Sequence, residues 1–552
     1  MEPRAILHRS RSVDCYPVSE DALCLRLRTG RGDFDRVSVI YSDNRFAWTE
    51  GRSELIMERW LSDSRFDYYT IRLRGADTRF AYIFRLYCGQ EAYYYCEEGL
   101  QKDYAFELGF FNYFQYPYIH KSEVLTVPEW MRGALCYQIF PDRFRIGDEK
   151  KDRSYVNLPW GEKPSPKSFA GGDLYGVMDG LDYLQELGVT LVYLTPVFRS
   201  VSNHKYDVID YYRVDPQFGG DEALRALVGA AHARGMRVML DGVFNHCSNE
   251  NEIFLDVVRQ GRASPYYDWF FVDGDKADFN ARNYLTFADV PYMPKLNTDL
   301  DAVIDYFCGV GRYWIEEYGV DGWRLDVADE ISPRFLRRFR EAVKAAKPEA
   351  VIVGEVWHEA RGWLRGDQFD SVMNYGLTKA CLDLLAFDAI DAQGFADRLV
   401  LLLTRNIDPA NDMMFNLLDS HDTERFLTRV NGDVQKLMLA LAVAFFMPGV
   451  PFLFAGDEIG IMGGYDPDCR RTFEWDRTHW NEALYQHVLR LSALNKTPPL
   501  REGKCSVDCD NGVVRIRRYT ETQSASLFIN PTDAERTAFD ISVPAMGYIF
   551  SD

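Results

Sequence analysis

Positive charge is scarce in this chain of 552 residues: 63 Lys and Arg stand against 83 Asp and Glu, a formal net charge of −20. Such a surface repels phosphate backbones, which excludes nucleic acid as a partner. No apolar run is long enough to span a bilayer. The strongest, Leu437 to Met447, stops at Pro448-Gly449, well short of the roughly 20 residues a membrane helix needs. The opening residues Met1 to His8 lack the basic start and apolar run of a secretory leader. The eleven cysteines are odd in number and contain no C-x-x-C motif, a usage that suits reduced thiols better than a disulfide framework. We therefore expect a cytoplasmic protein with no membrane partner. Low-complexity segments and short repeats are missing too.

Hydrophobic residues make up 47% and charged residues 26%, enough to build several ordinary cores. The length suggests three or four domains. Residues 1–122 are rich in alternating and aromatic strands, such as Phe66–Leu73 and Phe80–Leu86, which predicts a β-sandwich. Trp48 and Trp60 in this part are candidates for sugar platforms or for core packing. From Pro128 onward, strands alternate with amphipathic helices, the mark of a parallel α/β architecture. One early helix is expected to carry Leu174, Val177, Met178, Leu181 and Leu184 on a single face. Eight strand–helix units across residues 123–495 predict a (β/α)8 TIM barrel, with an irregular inserted subdomain after strand three over about residues 247–297. Residues 496–552 read as a small C-terminal β domain.

Barrels of this kind gather their chemistry at the C-terminal ends of the strands. Strand three ends Asp241-Gly-Val-Phe-Asn245-His246, strand four Arg324-Leu-Asp326, strand five Glu355-Val-Trp357-His358 and strand seven Asp419-Ser-His421-Asp422. The loop after strand two adds His204, Tyr206 and Asp207. In an extended strand Arg324 and Asp326 share a face, and a guanidinium beside a carboxylate favours its anion. Glu355 sits among Val353, Val356 and Trp357, apolar surroundings that suit a general acid. Histidines and acids meeting on one rim fit two chemistries. A metal-dependent hydrolase needs several histidine ligands, and strand one offers none. Glycoside hydrolysis needs a pair of carboxyl groups, which fits better.

DGVFNH, GWRLDVADE, GEVWHEA and LLDSHD, in this order, resemble the four principal motifs of the α-amylase family of retaining glycoside hydrolases. The resemblance extends over nearly the whole chain. Met293 to Asn297 is similar to a further motif of the neopullulanase, cyclomaltodextrinase and maltogenic amylase subgroup, which also carries an N-terminal β-sandwich. The resemblance implies that Asp326 is the nucleophile, Glu355 the general acid/base and Asp422 a third carboxylate holding sugar hydroxyls. It places Arg324, His246 and His421 against the sugar at the cleavage point, with His204 nearby and Tyr206 stacked on the ring. Trp357 then shapes the acceptor side, and Asp466 and Arg470 serve the donor side.

The expected substrate is an α-glucan oligosaccharide with α-1,4 bonds: a cyclodextrin, a maltooligosaccharide or pullulan. A transglycosylase or a sucrose/trehalose-type enzyme on the same barrel is the alternative, with a catalytically silent interaction protein more remote. The family also implies a homodimer in which one N-terminal domain walls its partner's cleft. No cofactor is required on this reading. Where starch-degrading relatives place a calcium ligand, this chain has Lys295. A second calcium loop maps onto Asp148, Asp152, Gly171 and Asp173. Ile146 and Lys151 interrupt that loop, one without a ligating side chain and the other with a repelling charge.

Overall fold

Short apolar runs, unable to leave either face in water, close into a ring of parallel strands. In the computed structural model, which describes residues 1–551, these are β1 (Cys136–Ile139), β2 (Leu191–Leu194), β3 (Arg237–Gly242), β4 (Gly322–Leu325), β5 (Val351–Gly354), β6 (Ser371–Val372), β7 (Phe415–Asn416) and β8 (Val450–Phe454). They pair in the order β6-β5-β4-β3-β2-β1-β8-β7. A parallel bridge between Met373 and Phe415 closes the ring, making the expected (β/α)8 barrel.

Helices wrap this ring with one apolar stripe each. The helix Gly220–Ala233 buries Ala223, Leu224, Leu227, Val228 and Ala231, spaced to share one face. The helix Asp301–Tyr318 ends at Gly319 with φ 77°, a left-handed turn that glycine makes without a Cβ penalty. The chain then enters β4. Ser332 and Pro333 start the next helix, Pro333–Ala346, the Ser332 side chain accepting from the Arg334 amide.

Two expectations need correction, and one open alternative is decided. The early helix is two, Leu174–Asp179 and Leu181–Leu187. They break at Gly180, where a Cβ would stand 2.6 Å from the Phe144 ring. The insertion is less irregular than expected: Glu252–Gln260 is a helix, capped by the Asn251 side chain. Neither tryptophan is a sugar platform. Trp48 is wholly buried, and Trp60 donates through Nε1 to the Cys505 carbonyl at 3.1 Å, under the Arg26 guanidinium at 4.8 Å.

Ahead of the barrel lie two antiparallel sheets, of four and six strands, sharing a core of Leu23, Leu25, Val39, Phe84 and neighbours. Behind it, Lys504–Asp510, Val513–Tyr519, Ser524–Asn530 and Gly547–Ser551 form a four-stranded sheet. Arg26, buried in the first of these regions, reaches into the barrel region. It donates to the Asn406 carbonyl at 2.6 Å and pairs with Asp408. A buried charge held this way fixes how the two regions meet.

Candidate active site

The ends of β4 and β5 interlock through their backbones. The Glu355 amide donates to the Leu325 carbonyl at 2.9 Å, and the Ala328 amide to the Glu355 carbonyl at 3.2 Å. Between them Val327 takes φ 45°, a strained conformation for a β-branched residue. The bend aims the Val327 amide at Oε2 of Glu355, 2.9 Å away. It also turns the chain out of the barrel directly after Asp326, leaving both carboxyl groups at the strand ends.

Arg324 lies behind them, 1% exposed. Its Nη1 donates to Asp326 Oδ1 at 2.7 Å and to both oxygens of Asp241 at 3.0 Å. Its Nη2 forms an ion pair with Glu355 Oε1 at 2.9 Å, off-line for a hydrogen bond. One guanidinium thus serves three carboxylates. This overturns the expectation that Arg324 simply keeps Asp326 charged. Burial drives the Asp326 carboxyl well above its ordinary range; Arg324 opposes this, while Glu355 and Asp241 add to it. Asp241 is lifted to about 6, again chiefly by burial against the pull of Arg324. The setting of Glu355 is also more polar than its sequence neighbours suggest, because Trp357 donates Nε1–H to Oε1 at 3.1 Å.

A hydrogen-bonded chain ties this cluster to the far wall. Gln138 on β1 donates to Nδ1 of His421 at 2.7 Å, which puts the imidazole proton on Nε2, 2.6 Å from the Tyr206 oxygen. Tyr206 then donates to Asp241 Oδ2 at 3.0 Å. Burial holds His421 neutral, its pKa far below the usual value. Arg470 donates through Nη2 to Asp422 Oδ1 at 3.0 Å and pairs through Nη1 with Asp466 at 2.9 Å. His246 is pushed down to about 3, by burial and then by Lys295. Its Nε2 is buried without a partner, a polar atom suited to a substrate hydroxyl.

A cavity of ≈440 Å³ opens over these groups, lined by His204, Tyr206, His246, Asp326, Glu355, Trp357, Asp422, Asp466 and Arg470. Arg324 and His421 are not on its wall. They lie behind it, bonded to Asp326, Glu355 and Tyr206. Sequence reasoning gave no role to four participants. Gln138 and Asp241 are polar residues inside apolar strands, which is itself a usable signal. Tyr375 stacks under Trp357 at 4.0 Å and 6°, and Phe287 lies along His246 at 4.8 Å and 19°. Phe287 comes from a loop, and Tyr375 is the first residue of the helix Tyr375–Leu385, positions where no periodicity marks a site residue.

The candidate metal positions do not fit a cation. Lys295 Nζ donates to Asn245 Oδ1 at 2.5 Å and to Glu330 at 2.6 Å. Lys151 Nζ lies 2.8 Å from Asp173 Oδ2 and donates to the Gln217 carbonyl at 2.9 Å. Asp173 is otherwise occupied with the amides of Gly147, Asp148 and Gly176, and Asp152 turns to Ser154. Among the described residues no group of three His, Cys, Asp or Glu side chains is arranged to hold a metal.

Comparison with known proteins agrees with this geometry. Residues 138–488 match the α-amylase catalytic domain and residues 1–120 the α-amylase N-terminal Ig-like domain. The chain belongs to the α-amylase family of glycoside hydrolases. It falls in the subgroup of cyclomaltodextrinases, neopullulanases and maltogenic amylases. A cyclomaltodextrinase from Thermoanaerobacter pseudethanolicus is 43% identical, over 98% of this chain and 94% of that one. An intracellular maltogenic amylase from Bacillus subtilis is 40% identical, over 96% and 91%. A solved cyclomaltodextrinase structure, 39% identical, superposes with a TM-score of 0.92 over 97% of this chain and 92% of its own.

The shared guanidinium makes a prediction with a definite sign. In this family member the charge of Asp241 raises the Asp326 carboxyl, so Asp241→Asn lowers it. The acidic limb of the kcat/KM profile should then move down by about one pH unit. A limb that stays in place or moves up contradicts the coupling.

Proposed function

We propose that this protein hydrolyses α-1,4-glucosidic bonds of short or cyclic α-glucans with retention of configuration. The observation that carries the reading is the single guanidinium bridging Asp326 and Glu355 from behind the cavity. Retaining chemistry wants two carboxyl groups about 5–5.5 Å apart on one sugar. Asp326 attacks the anomeric carbon as Glu355 gives its proton to the departing glycosidic oxygen. Glu355 then takes a proton from water, which attacks the glycosyl–Asp326 ester and frees the sugar. Asp422, oriented by Arg470, holds hydroxyls of the distorted ring. The Trp357 face, 44% exposed, offers a stacking surface to the leaving sugar.

A homodimer built through the N-terminal domain fits the same reading. Leu108, Phe110 and Phe111 stand out from one short helical turn of that domain, Phe111 85% exposed, an apolar surface that a second copy would cover. The unpaired cysteines, nine of the eleven buried, and a relative named as intracellular support a cytoplasmic setting. With ammonium groups at both candidate positions, the protein needs no calcium.

Three measurements test these points. Glu355→Gln should lower kcat on maltooligosaccharides by about 10²–10⁴, with a far smaller loss on α-maltosyl fluoride, whose leaving group needs no proton; near-wild-type glucan hydrolysis refutes the assignment. Light scattering should give twice the 63.8 kDa chain mass, and a monomer with full cyclodextrin preference sinks the dimer. Excess chelator should leave activity and Tm unchanged, whereas a large loss restores a calcium requirement.

A further inference from the structure

A second cavity, of ≈880 Å³, lies between the N-terminal sandwich and the loop that follows β5. The catalytic mechanism makes no use of it. Its walls are cationic, in a chain with a formal charge of −20. Arg405 lies at the C-terminal end of the helix Ala392–Thr404. The Arg405 Nε is buried without a hydrogen-bond partner, and burial works against its charge. Arg9, Arg28 and Arg365 line the same space. None of the four forms an ion pair with a carboxylate among the described residues; Arg28 donates only to the Ala5 carbonyl and lies on the Phe66 ring.

The acids in the wall are mostly spoken for. Glu123 is held by Arg11, Glu359 by Arg361 and Asp367 by Arg337. That leaves Asp14, whose carboxyl burial pushes up while the charges of Arg26, Arg9 and Arg28 pull it down. Four guanidinium groups, none in an ion pair among the described residues, therefore share the cavity with one further acid, Asp14, which lies in the field of Arg9 and Arg28. Guanidinium forks match the oxygens of a phosphate better than a single carboxylate can. The rings of Tyr68 and Tyr116 in the same wall offer faces to an attached sugar.

We propose that this cavity binds a phosphate-bearing small molecule, a phosphorylated sugar or free inorganic phosphate, held by Arg9, Arg28, Arg365 and Arg405. The site touches the active centre through sequence: the loop carrying Glu359, Arg361 and Arg365 leaves the barrel directly after Glu355 and Trp357. A ligand that orders this loop acts on the acceptor side of the catalytic cavity without entering it.

Calorimetric titration of the full chain with glucose 6-phosphate, inorganic phosphate and glucose tests the proposal. Saturable binding of a phosphate compound is expected, weakening as salt is added. It should fall about tenfold or more in Arg365→Ala and in Arg405→Gln, and persist in Asp326→Asn. Tighter binding of glucose 6-phosphate identifies a sugar phosphate as the ligand, and equal binding of inorganic phosphate identifies the bare anion; both support the site. Arg365 is exposed, so its variant reports even if Arg405→Gln fails to fold. The proposal is overturned if neither phosphate compound binds, if glucose binds as well as its phosphate, if the arginine variants bind like wild type, or if binding is lost in Asp326→Asn.

Discussion

One buried guanidinium set among three carboxylates governs the active centre. Arg324 alone cannot neutralise Asp241, Asp326 and Glu355, and burial makes an uncompensated negative charge costly. Burial raises the carboxyls of Asp326 and Asp241 against the pull of Arg324, which favours a proton held within the cluster. A glycosidase needs an acid and a base at the same pH, and a shared proton supplies both. It belongs to the cluster as a whole rather than to one member. On the proposed mechanism, positive charge develops beside Asp326 while the glycosidic oxygen offers Glu355 an acceptor, so the ligand itself would sort the proton.

The barrel exists, in this respect, to bring that cluster together. β3, β4 and β5 are adjacent and in register, Asp241 pairing with Arg324 and Gly242 with Leu325, so their last residues emerge side by side. Val327 absorbs the strain of the exit turn. The chain from Gln138 through His421 and Tyr206 to Asp241 then couples β1 and the β7 end to the same point. It carries no net charge of its own, because burial keeps His421 neutral. A neutral relay orients Asp241 without adding to the charge around the guanidinium.

Much of this was legible in the sequence, for physical reasons. Buried parallel strands must be apolar along their length, so the polar residues that end them, Asp326, Glu355 and Asp422 among them, are visible in outline. The β6 and β7 strands were harder. Only Ser371–Val372 and Phe415–Asn416 pair as strands, and just beyond them the side chains of Asn374 and Asn416 bond to each other at 2.9 Å. The sharing of Arg324 could not be read at all. Alternation shows that Arg324 faces Asp326, but the approach of Asp241 and Glu355 depends on neighbouring strands. The loop residue Phe287 reaches the cavity by tertiary contact alone, and Tyr375, at the start of its helix, reaches it only by stacking under Trp357. Lys295 and Lys151 lie between these extremes: the sequence shows a cation where a metal ligand was due, and only the structure shows what each ammonium bonds.

The account stands on Asp326 being the atom donor that bonds to sugar. Incubation with a 5-fluoro-α-glucosyl fluoride, followed by proteolysis and peptide mass spectrometry, observes that bond directly. A glycosyl adduct on the peptide carrying Asp326, mapped to that residue, is the result expected. An adduct on Glu355 or Asp422 would contradict the account.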